Sequence, residues 1–185
     1  MSSRTTNTHP TYVAFPRGIN VGGVIIKMDA LKKAFEALRF KNVRTLLASG
    51  NVLFETKTTN TGILKKAIEE KLKKTFGREI GVMVRSKAEI ERLTQSEPFK
   101  GINVTPQTRL YVTFLSEKTK RTLRIPYTSA DGNIRILSAT AKEVCSVVTL
   151  SKESGTLDLM EILEKEFGKN VTTRNWNTIL KVLNK

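Results

Sequence analysis

Strand-like and helix-like segments follow one another in a fixed order through the first half of this chain, and that order limits the folds open to it. Tyr12 to Phe15 is a short apolar run of the kind a buried strand needs. Met28 to Arg39 then repeats apolar residues at helical spacing, with Met28, Leu31, Phe35 and Leu38 on one face. Val43 to Ala48 and Val52 to Glu55 are extended segments separated by Ser49, Gly50 and Asn51, residues that form the turn of a hairpin. A second helix is expected over Thr61 to Phe76, burying Leu64, Ile68, Leu72 and Phe76, with Gly77 ending it as a left-handed cap. Ile80 to Arg85 reads as a fourth strand, and Ser86 with Glu89 makes a capping box for a short helix before Pro98. Strand, helix, two strands, helix, strand is the order of a split βαβ, or ferredoxin-like, α+β sandwich in which helices cover one face of an antiparallel sheet.

The second half repeats the order. Arg109 to Leu115 is strand-like, Lys118 to Arg124 is a candidate short helix, and Asn133 to Ala139 with Lys142 to Leu150 forms a strand pair. Thr156 to Phe167 follows as an amphipathic helix with Met160, Leu163 and Phe167 inward, closed by Gly168. The halves even begin alike, Tyr12-Val13-Ala14-Phe15 against Tyr111-Val112-Thr113-Phe114, which suggests duplication. The expected organisation is a flexible tail over 1–11, a first ferredoxin-like half over 12–100 and a second over 101–185.

Composition removes several chemistries. An apolar content of 39% over 185 residues is enough for a sizeable core. No stretch approaches the roughly 18 apolar residues of a membrane span, and Met1 to Thr11 is too polar for a secretory signal, so a cytoplasmic protein without membrane partners is expected. Cys145 is the single cysteine, which excludes an intrachain disulfide and a two-Cys zinc site. It lies in the apolar run Val144 to Leu150 and reads as a small buried hydrophobe. His9 is the single histidine and sits in the tail, so Ser-His-Asp, Cys-His and His-ligated metal arrangements are not expected. No acidic cluster has metal-ligand spacing, and no cofactor is implied. Any general base would be an Asp, Glu or Lys with a shifted pKa.

The formal charge is +15. Residues 1–95 hold 18 Lys and Arg against 8 acids, net +10, and residues 96–185 hold 14 against 9, net +5. An excess of this size attracts polyanions through counterion release and makes nucleic acid the first partner to consider. The competing reading is a solvated helix face. Lysines at 65, 66, 71, 73 and 74 share one helix with Glu69 and Glu70, which stand four residues before Lys73 and Lys74 and predict ion pairs. No aromatic residues interleave these lysines.

Two polar runs are left over by apolar periodicity. In the first, Arg17 to Gly23 (RGINVGG), the glycines Gly18, Gly22 and Gly23 allow tight turns and close approach of a ligand to backbone N–H groups, while Arg17 can grip an oxyanion. It fits neither the Rossmann nor the P-loop fingerprint. Arg17 could instead pair with a carboxylate and Asn20 could shape a turn. In the second run, Thr172 to Asn177 (TTRNWN), Thr172 and Thr173 are expected as N-caps. Arg174, Asn175, Trp176 and Asn177 would then form a first helical turn suited to an anion. Trp176 shares a stripe with Ile179, Leu180 and Leu183, which favours a core anchor over a stacking platform. Ser49 and Asn51 read first as turn residues, though both carry donors for a ligand.

RGINVGG after the first strand, NVRTLLASGNVLF at Asn42 to Phe54 and TTRNWNTILKV at Thr172 to Val182 give the chain its resemblance to the mainly bacterial family known as domain of unknown function 1697. The resemblance implies an α+β fold of two ferredoxin-like halves. It marks Arg17, Gly18, Asn20, Gly22, Gly23, Ser49, Gly50, Asn51, Arg174, Asn175 and Trp176 as signature positions, and implies no activity. Pro16 and Arg39 depart from the expected pattern of an aliphatic residue and a helix-ending glycine.

The functional expectation is a domain that binds an anion, either nucleic acid or a phosphorylated small molecule. The ligand-binding set is Arg17, Gly18, Asn20, Gly22, Gly23, Ser49, Asn51, Arg174, Asn175 and Asn177, gathered from both ends of the chain. The alternatives are an enzyme acting on a small phosphate or carboxylate metabolite, and a homo-oligomeric scaffold.

Overall fold

In the computed structural model, which describes residues 9–20, 25–46, 49–116, 123–152 and 155–184, the apolar run near the start becomes strand β1, Thr11–Pro16. The expected tail over 1–11 therefore lies largely outside the described residues. The chain divides into two compact units, Met1–Glu89 and Ile90–Lys185, whereas the sequence reading set the division at 100.

In the first unit β1 is followed by α1 (Met28–Glu36), β2 (Lys41–Leu46), β3 (Asn51–Glu55), α2 (Thr61–Phe76) and β4 (Val82–Ser86). The sheet order is β2-β3-β1-β4, antiparallel throughout, as the split βαβ order requires. Strand alternation places Tyr12, Ala14, Val52, Phe54, Val82 and Val84 in one core with Leu31 and Phe35 of α1 and Leu64, Ile68 and Leu72 of α2. Phe35 and Phe54 meet edge to face at 5.6 Å, and Phe40 stacks on Phe54 at 4.4 Å. Truncating one of these rings to alanine would cost about 3 to 5 kcal/mol.

Local chemistry sets the element ends. Asn60 caps α2, its Oδ1 accepting from Gly62 N at 2.9 Å and Ile63 N at 3.2 Å, and Gly77 ends the helix at φ +68. The expected capping box forms before α3 (Lys87–Gln95): Ser86 N donates to Glu89 Oε2 at 2.8 Å and Glu89 N donates to Ser86 Oγ at 3.2 Å. Helix α1 stops at Glu36, short of the expected Arg39, because Arg39 N turns back to Glu36 O at 2.9 Å and its own backbone lies at φ +62. Strand β2 starts two residues early, with a bulge between Lys41 and Arg44. The last two residues of the expected strand, Leu47 and Ala48, lie outside the described residues. Strand β4 starts at Val82 instead of Ile80. Phe76 is only partly buried. The expected pairing of Glu69 with Lys73 is replaced: Glu69 Oε1 accepts from Val82 N at 2.8 Å, and Lys73 Nζ pairs with Glu79 at 2.8 Å.

The second unit contains β5 (Thr108–Leu115), β6 (Tyr127–Thr128), β7 (Ile134–Ala139), β8 (Glu143–Thr149), α4 (Thr156–Phe167), β9 (Val171–Asn175) and α5 (Trp176–Leu183). Its sheet order, β6-β7-β8-β5-β9, is that of the first unit with the short edge strand β6 added. Leu115, Ile134, Ile136, Val144 and Val148 pack with Leu159, Leu163 and Phe167 of α4, while Met160 is partly buried. Of the expected helix Lys118–Arg124, residues 118–122 lie outside the described residues, and Leu123 and Arg124 are not helical.

The repeat extends to strand register. Val13 of β1 pairs with Arg85 of β4, and Tyr12 pairs with Ser86. In the second unit Val112 pairs with Arg174 and Tyr111 with Asn175. The four-letter match between the halves thus sits at the same pairing positions, and in both a helix begins at the next residue.

Candidate anion-binding loop

The loop after β1 is held by its own residues. Arg17 N donates to Gly81 O at 2.8 Å, which fixes the loop to the start of β4. Ile19 is buried in the core of the first unit. Asn20, at φ +55, closes the loop: its Oδ1 accepts from Ile26 N at 2.7 Å and its Nδ2 donates to Ile26 O at 3.3 Å. This two-point clasp uses the Asn20 amide as a structural group. Between the anchors stands Gly18, exposed, at φ +64, with no atom within 4 Å of where a Cβ would project. Gly18 and Asn20 have positive φ while Ile19 between them does not. Arg17 is half-buried beside Gly18 in sequence, whereas Gly22 and Gly23 lie outside the described residues.

The Ser49–Asn51 turn reaches the same loop. Gly50, at φ +72, lies so close to Ile19 that an added Cβ would stand 2.1 Å from Ile19 Cδ1. Asn51 is fully buried and holds the turn, its Nδ2 donating to Leu46 O at 3.2 Å and Ser49 Oγ at 3.0 Å. Two of the three motifs therefore meet in the first unit through Ile19 and Gly50. Sequence reading passed over Ile19, Ile26 and Gly81, because an apolar side chain and backbone groups carry no ligand-binding signature.

The third motif belongs to the second unit and differs from its expected form. Residues 172 to 175 are strand, not helix, since β9 pairs with β5 from Val171↔Leu115 to Asn175↔Tyr111. Asn175 is the N-cap of α5, accepting from Asn177 N at 2.9 Å, so Thr172 and Thr173 are not the caps. Thr173 Oγ1 bonds Thr113 Oγ1 at 2.8 Å. Arg174 donates from Nη1 to Thr172 Oγ1 at 2.8 Å and Thr173 O at 2.9 Å, and burial lowers its pKa to about 10, leaving it charged at neutral pH. Trp176 meets Phe99 edge to face at 5.1 Å, in keeping with a packing role, and α5 buries Ile179 and Val182 while Leu180 is exposed. Asn177 is exposed on the first turn. Cys145 is buried, and burial raises its thiol pKa to about 11. Among the described residues no group of His, Cys, Asp and Glu could hold a metal ion, and no helix is long and apolar enough to cross a membrane.

These features define a mixed α+β protein of two ferredoxin-like units, the first carrying a clasped, glycine-containing loop after its opening strand. The chain belongs to the family described as protein of unknown function DUF1697, whose model matches residues 10–144. That span includes the Arg17 loop and the Ser49–Asn51 turn and ends before Arg174. The fold is shared with the conserved bacterial protein SP0830 from Streptococcus pneumoniae, at a TM-score of 0.70 and 19% identity over 96% of this chain and 99% of that chain. No curated protein matches the sequence.

Proposed function

We propose that the protein is an anion-binding domain whose ligand, a nucleic acid or a phosphorylated small molecule, is taken by the loop at Arg17 and Gly18. The observation that carries this reading is a contrast within that loop. Its backbone and side chains are tied down at Arg17, Ile19 and Asn20, yet Gly18 is left exposed with open space above it. A tied-down, exposed backbone turn next to an arginine in sequence suits an oxyanion, which can accept from N–H groups and from Arg together. The net charge of +15 favours the encounter. Asn20, Asn51 and Asn175 serve as supports in this reading, because their amides bond backbone. A cytoplasmic setting completes the proposal, supported by the single buried cysteine.

A thermal-shift series with inorganic phosphate, pyrophosphate and nucleotides tests it. Ligand at ~100 times its dissociation constant adds ~2.7 kcal/mol, a rise of several degrees for a chain of this size. Arg17→Ala should abolish the rise. If no anion moves the midpoint while Arg17→Ala lowers it by itself, the loop is structural and the proposal fails.

A further inference from the structure

We infer that Glu69, on helix α2, is a positioning residue for the Arg17 loop, and that it acts through one peptide group, Gly81–Val82. The inference rests on the anion-binding reading and adds to it a residue that sets the site from outside the loop.

Strands β1 and β4 pair from Tyr12↔Ser86 to Pro16↔Val82. Continuing that register puts Arg17 opposite Gly81, so the bond from Arg17 N to Gly81 O at 2.8 Å is one further rung beyond the last paired residues. It has little support of its own. Pro16, before it, has no N–H to contribute, and residues 77–81 belong to neither helix nor strand. Terminal rungs of this kind open first when the end of a sheet frays.

This rung is secured from behind. The peptide that offers Gly81 O to Arg17 is the one whose N–H, on Val82, donates to Glu69 Oε1 at 2.8 Å. A trans peptide group is planar and its C=O and N–H point in opposite directions, so holding one end aims the other. A carboxylate acceptor makes the strong kind of hydrogen bond, and bonds in a chain polarise one another, which improves Gly81 O as an acceptor for Arg17 N–H. Glu69 stands on a firm base, because Ile68 and the helix position one turn on, Leu72, are fully buried in the core. Its Oε1 also lies 4.0 Å from where a Cβ on Gly81 would stand, close against the same peptide. As a charge alone, Glu69 would repel a nearby anion and its removal would tighten binding. As a positioning residue it does the reverse, since losing it loosens the rung from which the loop starts.

The test combines titration calorimetry with inorganic phosphate and residue-resolved hydrogen exchange by NMR, on the wild type, Glu69→Ala, Glu69→Gln and Glu70→Ala. Glu70 is the exposed neighbour with the same charge on the same helix. Glu69→Ala should raise the dissociation constant for phosphate by about fivefold or more. It should also speed exchange at the Arg17 amide, which Glu69 does not touch, by about tenfold. Glu69→Gln keeps an oxygen that accepts from Val82 N and should restore both, while Glu70→Ala should leave Arg17 exchange unchanged. Exchange that quickens at Val82 and not at Arg17, phosphate bound more tightly by Glu69→Ala, no rescue by Glu69→Gln, or the same losses in Glu70→Ala would each overturn the inference. Phosphate bound equally by the wild type and Glu69→Ala removes the role of Glu69 and leaves the anion reading standing. A wild type that takes up no phosphate, with Arg17 exchange still set by Glu69, removes the anion reading and supports the link from Glu69 to the loop.

Discussion

The contact between Gly50 and Ile19 predicts a specific non-additivity. An alanine at 50 would place its Cβ 2.1 Å from Ile19 Cδ1, 3.1 Å from Ile19 Cγ1 and 3.3 Å from Leu31 Cδ2, far inside the separation at which carbon atoms attract. Ile19 is 4% exposed and Leu31 0%, so neither side chain can swing into solvent. Two costs combine: overpacking at ~1 to 3 kcal/mol and the left-handed backbone at ~1 to 2 kcal/mol, since φ is +72. Ile19→Val deletes the one methyl that collides and costs by itself ~0.5 to 1.5 kcal/mol. In the double variant the new Cβ occupies the space of the deleted methyl, so the 2.1 Å overlap disappears, while the tighter-than-usual contacts at 3.1 Å and 3.3 Å and the backbone cost remain. The pair should therefore be less destabilised than the sum of its parts by ~1 to 3 kcal/mol, read from urea midpoints by far-ultraviolet circular dichroism. Additivity within ~0.5 kcal/mol would mean that the turn does not press on the loop.

Three further outcomes follow from single residues. Arg39 has φ +62 at a position where glycine is unstrained, so Arg39→Gly should raise stability by ~0.5 to 1 kcal/mol while Arg39→Ala does not; equal thermal midpoints for both would remove the backbone explanation. Asn20→Gly keeps the backbone at φ +55 accessible and loses only the clasp, at ~1 to 2 kcal/mol, while Asn20→Ala adds strain of ~1 kcal/mol; faster hydrogen exchange at the Ile26 amide should accompany both, and unchanged exchange would refute the clasp. Burial raises the Cys145 thiol from 9.0 to about 11, so the unfolded chain releases its proton first and stability falls as pH rises between those values. The loss approaches ~1.4 kcal/mol per pH unit and should vanish in Cys145→Ala; a variant with the same alkaline slope would assign it to other groups. Below pH 9 the native thiol should also resist alkylation until denaturant is added.

The ferredoxin-like order was readable because it depends on periodicity and punctuation, and Asn60, Gly77, Ser86 and Glu89 punctuate as expected. The errors fall where pairing overrides a local signal. Thr172 and Thr173 carry a capping signature, but β9 gains five paired positions on β5 by staying extended, and the cap moves to Asn175. Glu69 stands four residues before Lys73, yet Val82 N at the sheet end offers it a half-buried bond, stronger than an exposed ion pair. The closeness of Ile19 to Gly50 joins segments thirty residues apart in a way no local pattern records.

The polar runs that periodicity left unexplained can be assigned by subtraction. Asn20 closes a loop on Ile26, Asn51 ties a turn to Leu46, and Asn175 caps a helix. Arg174 bonds Thr172 and Thr173 within its own strand. Gly50 gives way to Ile19, which a larger residue would strike. Each of these hydrogen bonds and contacts serves backbone or packing. Gly18 is different, because nothing in the protein stands where its side chain would be and only its φ of +64 accounts for glycine there. Loops that merely connect do not need one residue buried, another clasped at two points and a third bonded to a neighbouring strand to keep a single exposed peptide in a left-handed turn. Rigidity concentrated around an exposed backbone turn would lower the entropic cost of holding an anion, and that is the ground on which this loop, with Arg17 next to Gly18, is proposed as the ligand site.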